Sequence, residues 1–356
     1  MKEGQDRHPK DRDFLRTREG MFFCVTGYLH PPDRYTAYLK YSPASEGKWE
    51  DDVTAYRREL PYYHVRNVAR TIQYLEEHHP IYVDRCPVRD FRFSLVPRER
   101  VAQYYVPEDR LREILSGPQD ALEEQVRGLV IHLAAAAAVD PRSFGVTGSI
   151  LIGLHNPRFS DVDLTVYGLD NAVRLRDALW ASSVPRVSPP DDAFIAKWSA
   201  GIARRFPLSE EEARYLANRR WNYGYYGERY FSIHPIRGDA EISERYGDHL
   251  YRAQGGARIR ALVTNAREAV FMPATYRVSE VRVLEGDADA LKIREIVSHE
   301  GLYRDVVDAG EEVEARGTLE SVDGVPQRLV IGTLQMGGEG YIKPLSIRSA
   351  SNGPGG

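Results

Sequence analysis

The sequence predicts an α/β chain, more narrowly an α+β one, built of three modules. Three observations carry that expectation. The 356 residues exceed what one compact core holds, so two or three domains are expected. Helix-period and strand-period apolar runs interleave along most of the chain. From about residue 268 the texture changes to short alternating or β-branched runs separated by Gly- and Asp-bearing turns. The resulting division is an N-terminal α+β module (1–117), a central α/β core (118–267), a small β-barrel (268–348) and a Gly/Pro/Ser tail (349–356) expected to be disordered.

In the first module, two β-rich runs, 21–29 and 34–41, flank a Pro-Pro-Asp turn and predict a hairpin. Val65, Val68, Ile72 and Leu75 recur at helical spacing, so 64–78 should be a helix. "FRFSLVP" returns to strand. "PEDRLREILSG" is a helix that opens on Pro107 and stops at Gly117. The central core begins with a long helix carrying Leu122, Val126, Leu129, Val130 and Leu133 on one side. A further helix follows over "NAVRLRDALWASS", and "VPRVSPPDDA" is a surface connection. "SEEEARYLANRRWN" starts with a capping box of Ser209 and Glu212. "ERYFSIHPI" is a strand, and "ISERYGDHLYR" is expected to be helical. Five runs, from "TYRVSEVRVLE" to "GYIKPL", supply the strands of a barrel, OB-like or SH3-like.

Composition excludes several classes. A net charge of −4 gives no bulk attraction to nucleic acid or anionic membrane, although a local basic surface is compatible with it. The two cysteines, Cys24 and Cys86, lack the spacing of a disulfide framework or a zinc site, which predicts a reducing, cytoplasmic setting. The first residues hold no apolar signal region, and the longest apolar run, 128–139, is too short and Ala-rich to span a bilayer. No Walker A loop, dinucleotide-binding glycine fingerprint, His-Glu-x-x-His helix or nucleophile elbow is present.

The informative stretch is "FGVTGSILIGLHNPRFSDVDLTVYG", residues 144–168. On a strand, Asp161 and Asp163 fall on one face, with Val162 and Leu164 on the other, their Cα atoms roughly 6.5–7 Å apart. Two carboxylates so placed repel unless a cation compensates them. A divalent cation does so, and with a triphosphate it supports in-line phosphoryl displacement. Upstream, Gly148 lets a phosphate approach the backbone, Ser149 is a candidate N-cap, and Arg158 in the returning loop offers a phosphate contact.

Apolar-Gly-Ser followed by Asp-apolar-Asp-apolar resembles the signature of the DNA polymerase beta-like nucleotidyltransferase superfamily. The stretches "FCVTGYLHPPDRYTAYLKYSP", "YYVPEDRL", "RYFSIHPIR" and "FMPATYRV" are similar to a predicted archaeal nucleotidyltransferase branch of it. The resemblance implies a minimal nucleotidyltransferase core. It further implies Mg²⁺ or Mn²⁺ on Asp161 and Asp163, an NTP whose phosphates rest at Gly148 and Ser149, and transfer of NMP to a hydroxyl with loss of pyrophosphate. The superfamily usually adds a third carboxylate from a later strand. Here Glu228, Tyr230, Ser232 and His234 share a face by period two, and the expected position is taken by His234. His234 or Glu228 would orient or deprotonate the acceptor, or His234 is simply a half-buried strand residue. "RRWNYGYYGERYF" interleaves arginines with aromatics; Arg220 and Trp221 are candidates for a nucleobase or substrate wall, against a plain reading as a Tyr-rich packed face. The acceptor could be an RNA end, slightly favoured by an OB-like barrel, a protein side chain or a small molecule. The competing expectation is a non-catalytic nucleotide- or RNA-binding protein with a degenerate core.

Overall fold

A computed structural model describes residues 7–50, 53–60, 62 and 64–346. It is a mixed α+β structure with three sheets. The tail expected to be disordered, 349–356, lies outside the described residues.

The first sheet comprises β1 (Phe14–Thr17), β2 (Phe22–Val25), β3 (Arg34–Ala44), β4 (Trp49–Glu50), β5 (Ala55–Arg58), β6 (Val83–Cys86), β7 (Phe91–Pro97) and β8 (Val101–Tyr105). Its order is β4-β5-β3-β2-β1-β8, and the β6–β7 hairpin joins through β7 on the start of β3. The expected hairpin is formed, with Cys24 opposite Tyr38. Helix α1 (Val65–His78) packs Ile72 and Leu75 against Leu15, Phe23 and Leu39. The alternate residues Phe14, Phe22, Cys24, Tyr38 and Tyr41 pack instead on Leu151, Ile152 and Leu154 of the central core. Period-two alternation thus gives one sheet two apolar faces, and the second clamps the first module over the Gly-Ser turn.

In the core, α2 (Pro107–Ser116) and α3 (Ala121–Ala137) precede β9 (Phe144–Val146), the one-turn α4 (Gly148–Leu151), β10 (Val162–Tyr167) and α5 (Leu169–Trp180). Then come β11 (Val187–Ser188), α6 (Asp192–Ala203), α7 (Glu210–Arg219), β12 (Tyr223–Tyr226) and β13 (Arg229–Ile236). The sheet order is β11-β12-β13-β10-β9, with β10 and β13 parallel and the other pairs antiparallel. Val162, Leu164, Val166, Phe231 and Ile233 bury one face against Leu122, Val126, Leu129 and Leu175 of the helices. Helix α2, assigned by sequence to the first module, joins this core through Leu111 and Ile114. Helix α6 starts inside the stretch read as a surface connection; Asp191 caps it by accepting from the Phe194 amide.

The third sheet contains β14 (Tyr251–Asn265), β15 (Ala274–Glu285), β16 (Glu295–Ser298), β17 (Glu312–Val322), β18 (Val325–Ile331) and β19 (Tyr341–Pro344). The pairings run β14-β15-β16-β18-β17 and return to β14, with β19 added on β17. It begins at Tyr251 rather than near 268. The helix expected over 242–252 is absent: Gly247 takes φ +96°, Asp248 accepts from the Arg245 amide, and the chain enters β14. Ile202 of α6, Ala213 and Leu216 of α7, and Phe206 of the connection between them pack on this sheet, against Ile259, Tyr276 and Val313.

Candidate functional site

The two faces of the central sheet differ because side chains alternate along β10 and β13. One face is the apolar core. On the other, Asp163 stands opposite Ser232 and Thr165 opposite His234. The Ser232 hydroxyl donates to Asp163 Oδ1 at 2.5 Å and lies 3.0 Å from His234 Nε2, itself 3.8 Å from the same Oδ1. By register, then, the residue facing Asp163 is Ser232, and His234 sits one step further along. Burial alone would raise the Asp163 carboxyl, but His234, Ser232 and the charge of Lys40 outweigh it and hold the group well below its ordinary range. Burial, together with Arg12, depresses the His234 imidazole to about 3, so the ring is neutral near pH 7. Its Nδ1 is buried without a hydrogen-bond partner among the described residues.

Asp161 lies just before the strand, not inside it, and is exposed. Desolvation and the charge of Asp163 raise its carboxyl, opposed by Arg229, Arg58 and Lys48. The loop that presents it is clamped by Arg229, whose guanidinium donates to Ser160 O at 2.9 Å, Pro157 O at 2.8 Å and Gln125 Oε1 at 3.0 Å. Sequence reasoning did not single out Arg229, because nothing local distinguishes an arginine that clamps a loop from an exposed one.

The Gly148 turn meets the same carboxylate. Gly148 has φ +69°, and a Cβ placed there would stand 2.7 Å from Asp163 Oδ2. Only glycine combines that backbone conformation with that approach. The Thr147 amide donates to Asp163 O at 2.9 Å, and its hydroxyl to Arg12 O at 2.7 Å, tying the turn to both β10 and the first module. The helix-capping position is Thr147; Ser149, expected as the cap, is a half-buried residue inside α4.

The other expected residues separate. Glu228 is exposed in the β12–β13 turn; β13 begins one residue later, which takes Glu228 off the strand face. Arg158 is exposed, its backbone amide donating to Asn156 Oδ1. Trp221 is 6 % exposed, packs in the apolar core and donates its indole N–H to Asp305 Oδ2 at 2.7 Å, so it is not a substrate wall. Arg220 stacks on Tyr223 and Trp198 at the edge of a large cavity. Lys40, from β3, is buried; desolvation and Arg58 lower it to about 7 while Asp163 pulls it up. It was invisible in the sequence because only tertiary packing carries it to Asp163.

A second carboxylate cluster lies elsewhere. Ligand atoms of Asp120, Glu123 and His155 all fall within 4.8 Å of one another, an arrangement that could hold a metal ion. Each is already engaged. Asp120 caps α3 by accepting from the Leu122 and Glu123 amides and pairs with His155 Nε2 at 2.8 Å. Glu123, 1 % exposed, accepts from Arg110 and from the Gln119 amide. Among the described residues no comparable group of three includes Asp161 or Asp163.

The chain belongs to the family of the uncharacterized protein MJ1086 of the archaeon Methanocaldococcus jannaschii. The two are 31 % identical over 344 residues, spanning 93 % of this chain and 98 % of that protein. No family model matches the sequence, and no solved structure matches it. No helix among the described residues is long and apolar enough to cross a membrane.

Proposed function

We propose that the chain is a metal-dependent nucleotidyltransferase with a minimal polymerase beta-like core and an OB-like barrel, moving NMP from an NTP to a hydroxyl and releasing pyrophosphate. One observation carries this reading: the Asp163 carboxylate is shared between the Gly148 turn on one side and Ser232 and His234 on the other, with Asp161 beside it. Two carboxylates with a hydroxyl form an all-oxygen donor set, and Mg²⁺ commonly takes one or two carboxylates and completes its shell with water and substrate phosphates. The residues present therefore fit such an ion without a third carboxylate. When bound at Asp161 and Asp163, Mg²⁺ or Mn²⁺ would neutralise phosphate charge.

This chain's own residues do the rest. The bare Gly148 backbone leaves room for the triphosphate beside Asp163. Neutral His234 can accept a hydrogen bond from the acceptor hydroxyl and orient it. The hydroxyl oxygen bonds to the α-phosphorus, the bond to the bridging oxygen breaks, pyrophosphate leaves with the electron pair, and the hydroxyl proton passes to water. The five-strand ring of the third sheet supports the OB-like reading of the barrel.

The second reading, a nucleotide binder without catalysis, draws on one observation. Lys40, Arg58 and Lys48 already supply positive charge around the pair. Incubation with each NTP labelled at the α-phosphorus, Mg²⁺ or Mn²⁺, and cell lysate separates the two. Transfer of label to RNA, protein or a small molecule, lost on Asp163→Ala, is expected; retention of NTP with no label transferred and no pyrophosphate released would leave only the binder.

A further inference from the structure

The three modules enclose a cavity of about 510 Å³, within the size range of roughly 300–1,000 Å³ typical of small-molecule sites. Seven arginines and four carboxylates line it, a basic surplus inside a chain whose net charge is −4. Ser232 and His234 form part of the wall; Gly148 and Asp161 do not. Asp163 itself does not line the cavity; its Oδ1 is linked to the wall through Ser232 and His234, whereas the Gly148 turn meets Oδ2.

One part of the wall is electrostatically incomplete. Arg304 is 6 % exposed and donates to Ile233 O at 3.1 Å, and no carboxylate lies within ion-pair distance of it among the described residues. The Arg220 guanidinium has no hydrogen-bond or ion-pair partner among the described residues, and its Nε is buried. Arg12 comes to the same wall from the first module, with Asp11 3.4 Å away. Burial and the charges of Arg220 and Arg12 depress the Arg304 guanidinium to about 9, opposed by Asp11 and Asp305. Like charges converging on a largely buried wall are costly unless an anion joins them. Beside them, Tyr223 is 8 % exposed and its hydroxyl is buried without a partner among the described residues. Rings of Tyr223, Tyr230 and Trp198 supply an apolar side.

We propose that this cavity holds the acceptor, a small molecule bearing a phosphate group, with its anionic end against Arg12, Arg220 and Arg304 and its hydroxyl toward Ser232 and His234. The acceptor role rests on the transferase reading; the anion site does not. The volume suits a compact ligand. In the transfer, the acceptor oxygen bonds to the NTP α-phosphorus as pyrophosphate leaves, giving a phosphodiester and releasing one proton.

The test is calorimetric titration of the full chain in EDTA with inorganic phosphate and with phenyl phosphate. Both should bind, phenyl phosphate the more tightly, and Arg220→Gln should weaken binding roughly ten-fold or more, the loss of a charge-assisted hydrogen bond. Asp163→Asn should bind phenyl phosphate as the unmodified chain does, which keeps the anion site separable from transfer. Arg304→Gln gives an independent check; without anion, each arginine variant should melt no lower than the unmodified chain, since repulsion is relieved. No binding by the unmodified chain, or undiminished binding by Arg220→Gln, overturns the anion site. Competition between NTP and phenyl phosphate, or α-phosphorus label found in RNA rather than in the small-molecule fraction, overturns the acceptor assignment while leaving the transferase reading standing.

Discussion

Two carboxylate clusters in this molecule look alike in composition and differ in what their oxygens do. Around Asp120, Glu123 and His155 every carboxylate oxygen is taken up: two helix amides, an arginine, a loop amide and His155 Nε2 account for them, and His155 Nδ1 alone is buried without a partner among the described residues. Around Asp161 and Asp163 the account is open. Asp161 has no hydrogen-bond or ion-pair partner among the described residues, and Asp163 turns Oδ2 toward a glycine whose missing side chain leaves space. Proximity of ligand-type side chains is therefore a poorer guide to a metal site than unfinished hydrogen bonding at oxygens held in place by a rigid sheet.

The largest expected effects set the clusters apart. Asp163→Ala should lower pyrophosphate release roughly 10³-fold, the scale of losing a principal charge-stabilising group, with the fold retained by circular dichroism. Glu123→Ala should do the converse. It strands Arg110, partly relieved by Glu113, and should cost about 2–3 kcal/mol in denaturant unfolding while transfer by the folded fraction persists. A stability loss at Asp163 equal to that at Glu123 would erase the distinction.

Glu300 extends the comparison to a buried carboxylate with neither cation nor cap cluster. Burial raises it to about 7, and the Val65 amide alone opposes this, donating to Oε1 at 2.9 Å. Its folded value lies above its unfolded one, so the native state holds the extra proton between these values. Stability is fully present below about pH 4.5 and falls as pH rises to about 7. Glu300→Gln should remove that slope, adding about 1–3 kcal/mol at pH 8 and little at pH 4.5. Urea unfolding at the two pH values reads the difference; equal effects at both would refute the assignment.

Gly148→Ala is smaller in stability and sharper in meaning. A left-handed alanine costs about 1–2 kcal/mol, and its Cβ would press on Asp163 Oδ2. Transfer should drop far more than that destabilisation accounts for. Parallel loss of activity and stability would mean that the glycine serves the turn alone.

How much of this could be read in advance depends on how locally each feature is encoded. The alternation in "DVDLTVY" placed Asp163 opposite the core face, and the bare turn at Gly148 was legible because glycine and a following apolar run leave few structural alternatives. Strand β14 was missed although Ala257, Ile259, Ala261 and Val263 alternate inward, because Gly255-Gly256 interrupts the run. Trp221 was misplaced for a different reason: an aromatic beside arginines looks the same in sequence whether it stacks on a ligand or donates to a buried aspartate. Arg12 and Lys40 of the first module converge with Arg304 of the third, and no local pattern announces a long-range meeting.

The central claim is that the open pair, not the satisfied cluster, is where a divalent cation binds. Titrating the chain with Mn²⁺ and following the free-ion electron paramagnetic resonance signal tests it directly, without requiring turnover. The account predicts that the unmodified chain and Glu123→Gln remove the free signal alike, and that Asp161→Asn with Asp163→Asn does not. Binding retained by the double aspartate variant and lost in Glu123→Gln would contradict it.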